Sequence, residues 1–183
     1  IPVAEQCGQI VPLGRWVLAR AAAIAADLNR DRSHPLRMCV NVSTRQFTLD
    51  DVADAVVDAL RTSGCDPSWI ELELTESLLL EEIPLVHDAI DRLRALGVGI
   101  AIDDFGTGYS ALHYLTKLPI DHMKIDKSFL RDVEVDAHQQ EIVRALVALA
   151  SAIDVDVVAE GIETEGQADF LRGMGCGLGQ GYL

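Results

Sequence analysis

The segment AIDDFGTGYSALHYLTKLPIDHMKIDKSF, residues Ala101–Phe129, contains two apolar runs of strand length that carry charged side chains. The first run ends in the adjacent carboxylates Asp103 and Asp104, and the second carries Lys124 and Asp126. Paired carboxylates at the end of a buried strand repel each other and lose hydration, so a cation usually stabilises them. An isolated pair is also typical of a helix cap or a turn. The rest of the chain has to distinguish these interpretations.

Length, charge and cysteine content limit the class of protein. The 183 residues, 49% of them hydrophobic, favour one globular core. A net charge of −14 argues against direct binding of a nucleic-acid polymer or an anionic membrane. Bound metal ions could still reverse the local charge and allow a small phosphate-bearing substrate to bind. The four cysteines form no CxxC pair and no zinc spacing, which favours a reducing compartment and a cytoplasmic location. No apolar run is long enough to span a membrane.

Strand patterns alternate with helix patterns along the whole chain. This βα order predicts an α/β fold in which helices cover a parallel sheet. We expect strands at Arg37–Ser43, Trp69–Glu76, Val98–Asp104, His122–Lys127, Val155–Glu160 and Gln180–Leu183. We expect helices at Pro12–Asn29, Thr48–Ser63, Ile83–Leu96, Ser110–Thr116, Ala137–Ile153 and Thr164–Met174.

Three details of the helices can be tested against a structure. In the first helix, Leu13, Trp16 and Leu28 belong to the stripe that we expect to be buried. Thr48 is the expected cap of the second helix. In the last helix, Thr164 and Gln167 have the spacing of a capping box.

Polar side chains recur in one phase of the successive strands. Because side chains alternate between the two faces of a strand, the aliphatic residues of each strand oppose its polar ones. The carboxyl ends of the strands, where barrels and open α/β sheets bind ligands, should therefore carry a common polar group. Its members are Asn41, Glu73, Asp103, Lys124, Asp126 and Glu160, and Gln180 ends the series. Asp104 can join the group only if its strand ends there.

Oxygen ligands without Cys or His favour Mg²⁺ or Mn²⁺. Asp103 and Asp104 could hold two such ions, an arrangement that promotes in-line phosphoryl displacement. Lys124 could neutralise phosphate charge, and Glu160 could accept a proton from water. Without metal, we expect raised pKa values in the clustered carboxylates and a fold that divalent ions stabilise.

Six segments carry a family resemblance: NVSTRQF, ELELTES, AIDDFGTGYSAL, LPIDHMKIDKSF, VVAEGIET and GCGLGQGY. They resemble the EAL domain, the bacterial cyclic di-GMP phosphodiesterase family, in the family order and over nearly the whole chain. The resemblance implies a TIM-like (β/α)8 barrel, of which this chain covers about six strands. Residues 1–183 would then be an EAL domain without its first two strands, which include the Glu-Ala-Leu segment and a metal-ligating Glu, and without its extreme C-terminus.

The resemblance also implies an activity and site roles. The expected reaction is the metal-dependent hydrolysis of cyclic di-GMP to linear pGpG, with two Mg²⁺ or Mn²⁺ ions per complete site. Asn41, Glu73 and Asp103 would hold one metal, and Asp103 and Asp104 would serve the second. Lys124 would act near the hydrolytic water, and Glu160 would be either a base or a second-metal ligand. The supporting residues would be Asp126, Glu163 near the nucleotide, and Gln180.

The resemblance further implies a homodimer, formed through the region around Phe105–Ser110 and the following helix. Glu76 would brace that loop and link metal binding to dimerisation. The alternative function is a catalytically silent cyclic di-GMP receptor or regulatory interaction domain, because a metal-ligating Glu of the family lies outside the 183 residues.

Overall fold

The structure, a computed structural model, describes residues 1–80, 84–106, 115 and 118–183. Within these residues, six strands lie in one sheet in chain order: β1 Met38–Val42, β2 Ile70–Thr75, β3 Gly99–Phe105, β4 His122–Ile125, β5 Asp156–Ile162 and β6 Leu178–Gly181. The pairs β1–β2, β3–β4, β4–β5 and β5–β6 are parallel. The predicted α/β class with a parallel sheet is therefore confirmed.

Helices separate the strands along the chain. In the described residues they are α1 Pro2–Gln6, α2 Ile10–Asn29, α3 Thr44–Leu49, α4 Val52–Ser63, α5 Glu76–Leu80, α6 Pro84–Leu96, α7 Ala137–Ala152 and α8 Glu165–Gly173. One-turn 3₁₀ helices cover Pro67–Trp69 and Lys127–Phe129. The helix expected at Ser110–Thr116 lies outside the described residues, apart from Leu115.

The chain forms two compact units, of which the first comprises Ile1–Leu74 and Glu81–Ile100. In this unit α2 packs against α4, and the buried face of α2 consists of Ile10, Gly14, Leu18, Ala21, Ala22, Ala25 and Asn29. The predicted buried stripe was wrong at Leu13, Trp16 and Leu28, which are exposed, although its member Ala21 is buried. Small side chains let the two helices approach closely, and hydrophobicity alone does not identify such a face.

The second predicted helix is divided in two. Ser43 and Gln46 form a capping box that starts α3 early, so Thr48 lies inside α3 and donates to the Arg45 carbonyl, 3.1 Å away. The cap of α4 is Asp51, whose Oδ1 accepts a hydrogen bond from the backbone N of the third helical residue at 2.9 Å. The predicted Thr48 cap was therefore wrong.

The second unit comprises Thr75–Leu80 and Ala101–Leu183. Its core contains Met123 and Ile125 of β4 and Ala159 of β5, all with no exposed surface. The predicted capping box of α8 is confirmed, since Thr164 and Gln167 exchange both of its hydrogen bonds. In neither unit do the described residues include a helix with the length and apolar character of a membrane span.

Candidate metal centre

Asp103 and Asp104 lie on the same side of β3 because the strand contains a bulge. The pairing of β3 with β4 shifts register between Ile102 and Phe105, so the two aspartates oppose the single residue Lys124. Asp104 has a φ of 54°, in the left-handed region that Asp tolerates better than most residues. A bulge of this kind redirects a side chain. The expectation that the strand ends at Asp104 was wrong, because β3 continues to Phe105 and the bulge turns Asp104.

Three carboxylates of the second unit form a cluster. Among the described residues, Asp103, Asp104 and Glu160 each offer an oxygen, and these oxygens lie within 4.8 Å of one another. Lys124 is 6% exposed, and its Nζ lies 3.0 Å from Asp103 Oδ1 and 2.7 Å from Glu160 Oε1. The ammonium group therefore joins β3 to β5 through two ion pairs at the edge of the cluster.

The charge of this cluster suits a divalent cation. Three carboxylates and one ammonium leave a formal charge of about −2 when all four groups are ionised. Burial, and then the negative charge of Asp103 and Asp126, raises the pKa of the Asp104 carboxyl. The expectation of raised pKa values is confirmed at this residue. An all-oxygen donor set with this charge fits Mg²⁺ or Mn²⁺.

Asp126 shows the opposite shift. Burial disfavours its ionised form, but hydrogen bonds from Ser128 and the nearby charge of Lys127 outweigh this effect and lower the pKa of the carboxyl. Its Oδ1 accepts a hydrogen bond from Ser128 N at 2.9 Å and caps the 3₁₀ helix that follows β4. For Asp126, the expectation of a raised pKa was wrong because a capping carboxylate is stabilised by the amides that it accepts from.

Asn41 and Glu73 belong to the first unit and are neighbours within it. Their Cα atoms are in register across the parallel pair β1–β2, and Asn41 Nδ2 donates to Glu73 Oε2 at 2.8 Å. Glu73 is 6% exposed, although it is an acidic residue on a strand. Burying a carboxylate costs free energy unless the carboxylate is paired or coordinates a metal. This pair can therefore offer oxygen ligands from the first unit.

Glu76 contacts the start of the loop that the sequence linked to it. Its Oε2 accepts a hydrogen bond from Gly106 N at 3.1 Å, and its side chain is buried. Gly106 has a φ of 93°, and a Cβ there would lie 2.9 Å from the Phe129 ring. Only glycine satisfies both conditions. The rest of Phe105–Ser110, from residue 107, lies outside the described residues.

The remaining predicted residues surround the end of β5. Gln180 of β6 is exposed and is the direct register partner of Glu160. Glu163 is exposed too, and it lines a cavity together with Lys127 and Arg131. Glu163 does not join the three-carboxylate cluster among the described residues.

Gly161, which follows Glu160, has a structural role that was not predicted from the sequence. The pairing of β5 with β6 shifts between Glu160 and Ile162, and Gly161 takes a φ of 71° at this second bulge. A Cβ at this position would lie 2.4 Å from Lys127 Cβ. A glycine inside a strand pattern is a known signal of a bulge or of a close backbone approach, and it could have been read as such here.

The chain is similar to known proteins over its whole length. The family description "EAL domain" matches residues 1–183. A cyclic di-GMP phosphodiesterase of Pseudomonas aeruginosa is 43% identical over 183 residues, which are 100% of this chain and 31% of that protein. The chain thus spans less than a third of the length of this curated relative.

Two solved structures share the fold. PaMucR, a phosphodiesterase solved as a c-di-GMP complex, has a TM-score of 0.91 and 40% identity over 98% of this chain and 73% of its own. Klebsiella pneumoniae BlrP1, solved as a manganese and cy-diGMP complex, has a TM-score of 0.83 and 29% identity over 94% of this chain and 43% of its own. The predicted EAL-type fold and family are confirmed: this chain belongs to the EAL domain family.

Proposed function

We propose that this protein is a metal-dependent phosphodiesterase that hydrolyses cyclic di-GMP to linear pGpG. The observation that carries the proposal is the cluster of Asp103, Asp104 and Glu160 around the ammonium group of Lys124. Two likenesses support the choice of substrate: the Pseudomonas relative is named a cyclic di-GMP phosphodiesterase, and PaMucR was solved with c-di-GMP.

Two divalent ions, Mg²⁺ or Mn²⁺, are the cofactors that we propose for the complete domain. The ligands from the second unit are Asp103, Asp104 and Glu160, and the first unit offers Asn41 and Glu73. Bound divalent ions supply Lewis acidity, which stabilises the phosphoryl oxygens during in-line displacement. The manganese in the BlrP1 complex supports this class of metal.

Lys124 has two tasks in this proposal. Its ion pairs hold Asp103 and Glu160 in place, and its positive charge at the edge of the cluster can stabilise a phosphate oxygen. Because the Glu160 oxygen lies within 4.8 Å of both aspartates, we assign Glu160 to the metal rather than to proton transfer. Asp126, Glu163 and Gln180 support this arrangement from the loop after β4 and from the end of β5 and β6.

Assembly and location are further parts of the proposal. Glu76 fixes Gly106 at the start of the loop, which suits a coupling between the metal centre and a homodimer formed through residues 105–110 and the helix that follows. A cytoplasmic location is supported by four cysteines that are all free thiols.

The test is the conversion of cyclic di-GMP to pGpG by the natural full-length protein with Mn²⁺. We expect Asp103→Asn to lower the rate by about 100-fold or more, because it removes one charged ligand. Asp156→Asn is the matched control, since it neutralises an exposed carboxylate at the opposite end of β5 and should keep the wild-type rate. Equal rates in wild type and Asp103→Asn would refute the proposal. Calorimetry with Ca²⁺ that shows nucleotide binding, without turnover in Mn²⁺, would establish the receptor function instead.

A further inference from the structure

The ladder between β4 and β5 stops just before the residues of the metal centre. Its last register pair is Ile125 with Ala159. Asp126 and Glu160 therefore lie at the end of the ladder that holds the two strands together. Glu160 is in register with Gln180 of β6, which is exposed, and the Glu160 carboxylate pairs with Lys124 of β4. A further contact joins the two chain segments past this point.

Gln167, in the first turn of α8, makes that contact. Its side chain is 5% exposed, and its Nε2 donates to the Leu130 carbonyl at 3.0 Å. Its Oε1 accepts hydrogen bonds from Glu163 N at 2.7 Å and from Thr164 N at 3.1 Å. One buried amide therefore satisfies three backbone groups that lie in two different segments of the chain.

The two segments are those that leave the metal centre. Leu130 is the C-cap residue of the 3₁₀ helix Lys127–Phe129, and Asp126 is the N-cap of that helix. Glu163 lies three residues beyond Glu160. A short rigid path thus leads from Asp126 through the 3₁₀ helix to Gln167, and from there back towards Glu160.

A capping box alone does not account for this arrangement. The box requires only that Gln167 accept from the N-cap backbone, and it predicts no contact with a residue 37 positions away. Two more contacts join the same segments. Thr164 Oγ1 donates to Glu134 Oε2 at 3.0 Å, and Gly166 leaves the space that the Glu134 carboxylate occupies.

We propose that Gln167 is a positioning residue, which sets the position of Glu160 relative to Lys124 and Asp126. The proposal rests on the proposed function, because its effect on turnover presupposes that Glu160 serves hydrolysis. Its physical basis is the pair of opposed hydrogen-bonding groups on one side chain. The amide oxygen can accept from the segment after Glu160 while the amide nitrogen donates to Leu130, and this holds at every pH.

Two substitutions separate the bridge from the cap. Gln167→Glu keeps the acceptor for Glu163 N and Thr164 N, as in the usual capping box, but an ionised carboxylate cannot donate to the Leu130 carbonyl. Gln167→Leu removes both functions. The matched control is Gln140→Leu, since Gln140 Nε2 donates to the Val133 carbonyl at 2.9 Å and ties the same loop to α7.

The experiment uses the natural full-length protein and measures kcat, KM, Mn²⁺ affinity by calorimetry, and melting temperature. We expect Gln167→Glu to lower kcat by about tenfold with KM within about twofold, since misplacement of a reacting group costs rate more than binding. Its Mn²⁺ affinity should also fall by about threefold or more, because a displaced ligand coordinates less well. Gln140→Leu should change neither quantity by more than about twofold, although both variants lower the melting temperature.

The experiment tests the positioning role of Gln167 even if the wild type has no phosphodiesterase activity. That result would refute the proposed function, while the Mn²⁺ affinities would still test the position of Glu160. Wild-type kcat and Mn²⁺ affinity in Gln167→Glu, or equal losses in Gln140→Leu, would overturn the positioning role. At lower pH a protonated carboxyl at position 167 can donate to Leu130. A rise in the activity of Gln167→Glu relative to wild type as pH falls would therefore support the positioning role.

Discussion

The substitution Lys124→Met tests whether the carboxylate cluster needs a cation. The side chain loses its charge and only one heavy atom of its length, so the cluster formed by Asp103, Asp104 and Glu160 changes from a formal charge of about −2 to about −3. Lys124 is 6% exposed, so little water can replace the ammonium group. Without metal, the variant should therefore be much less stable than the wild type.

The magnitude follows from the exposure of the three groups. Removing one partner from a fully buried ion pair costs about 3–5 kcal/mol, because the other charge stays buried without compensation. The side chains of Asp103 and Glu160 retain 15% and 19% of their exposure, and water partly compensates their charge. We therefore expect a loss of about 3 kcal/mol in the free energy of unfolding, at the lower end of that range.

The assay is urea denaturation followed by circular dichroism, with EDTA and with Mn²⁺. Mn²⁺ should restore most of the lost stability, since an ion at about 100 times its dissociation constant contributes about 2.7 kcal/mol. Lys127→Met is the control: Lys127 is exposed, so its loss should cost less than about 0.5 kcal/mol. A loss below about 1 kcal/mol for Lys124→Met, or no greater response to Mn²⁺ than in the wild type, would contradict the reasoning.

Two further predictions concern the bulges. Burial and the charge of Asp103 raise the pKa of the Asp104 carboxyl, so the folded state binds the proton of this carboxyl more tightly than the unfolded state does. The free energy of unfolding should therefore fall as pH rises from about 4, the pKa in the unfolded state, through the raised pKa of the folded state. Asp104→Asn should flatten this slope. Since the carboxylate is only partly buried and water screens its charge, the variant should stabilise the metal-free protein at pH 7 by only about 0.5 kcal/mol. An unchanged slope in EDTA would refute the assignment. Gly161→Ala should lower the free energy of unfolding by about 2 kcal/mol, through backbone strain and the Cβ contact with Lys127. Gly175→Ala is the control, since Gly175 has a φ of 81° and no atom within 4 Å, and it should cost about 1 kcal/mol. Equal losses in urea denaturation would show that the contact with Lys127 is unimportant.

The alternation of polar and apolar residues predicted the strands well because it reports directly on which face is buried. Val40 and Val42 of β1 are buried while Asn41 between them is exposed, as a period of two requires. The family motifs lie on these strand ends, so the site residues could be named from the sequence. Their ligand roles stay predictions that the proposed experiments test.

The helix faces were harder to predict because close packing and hydrophobicity compete. In α2 the largest apolar side chain, Trp16, is 65% exposed, while Gly14 and Ala25 are buried against neighbouring elements. The side chain of Gln46 fills the space above Gly14. A periodicity weighted by hydrophobicity identifies the face with the largest apolar residues, whereas the buried face of α2 contains mostly small ones.

The bulges show why the alternation could place one carboxylate of the pair but not both. Strict alternation puts Asp103 and Asp104 on opposite faces, so the prediction required the strand to end at Asp104. The structure keeps the strand and inserts an extra residue, at the cost of a left-handed Asp104. A second bulge lies directly after Glu160, where Gly161 adopts the left-handed conformation with little backbone strain. Strain of this kind persists only when its surroundings fix it. At the β3 bulge, Lys124 holds the neighbouring Asp103 through an ion pair, and in our proposal a divalent ion holds both aspartates. Metal binding and the backbone geometry of β3 should therefore stabilise each other.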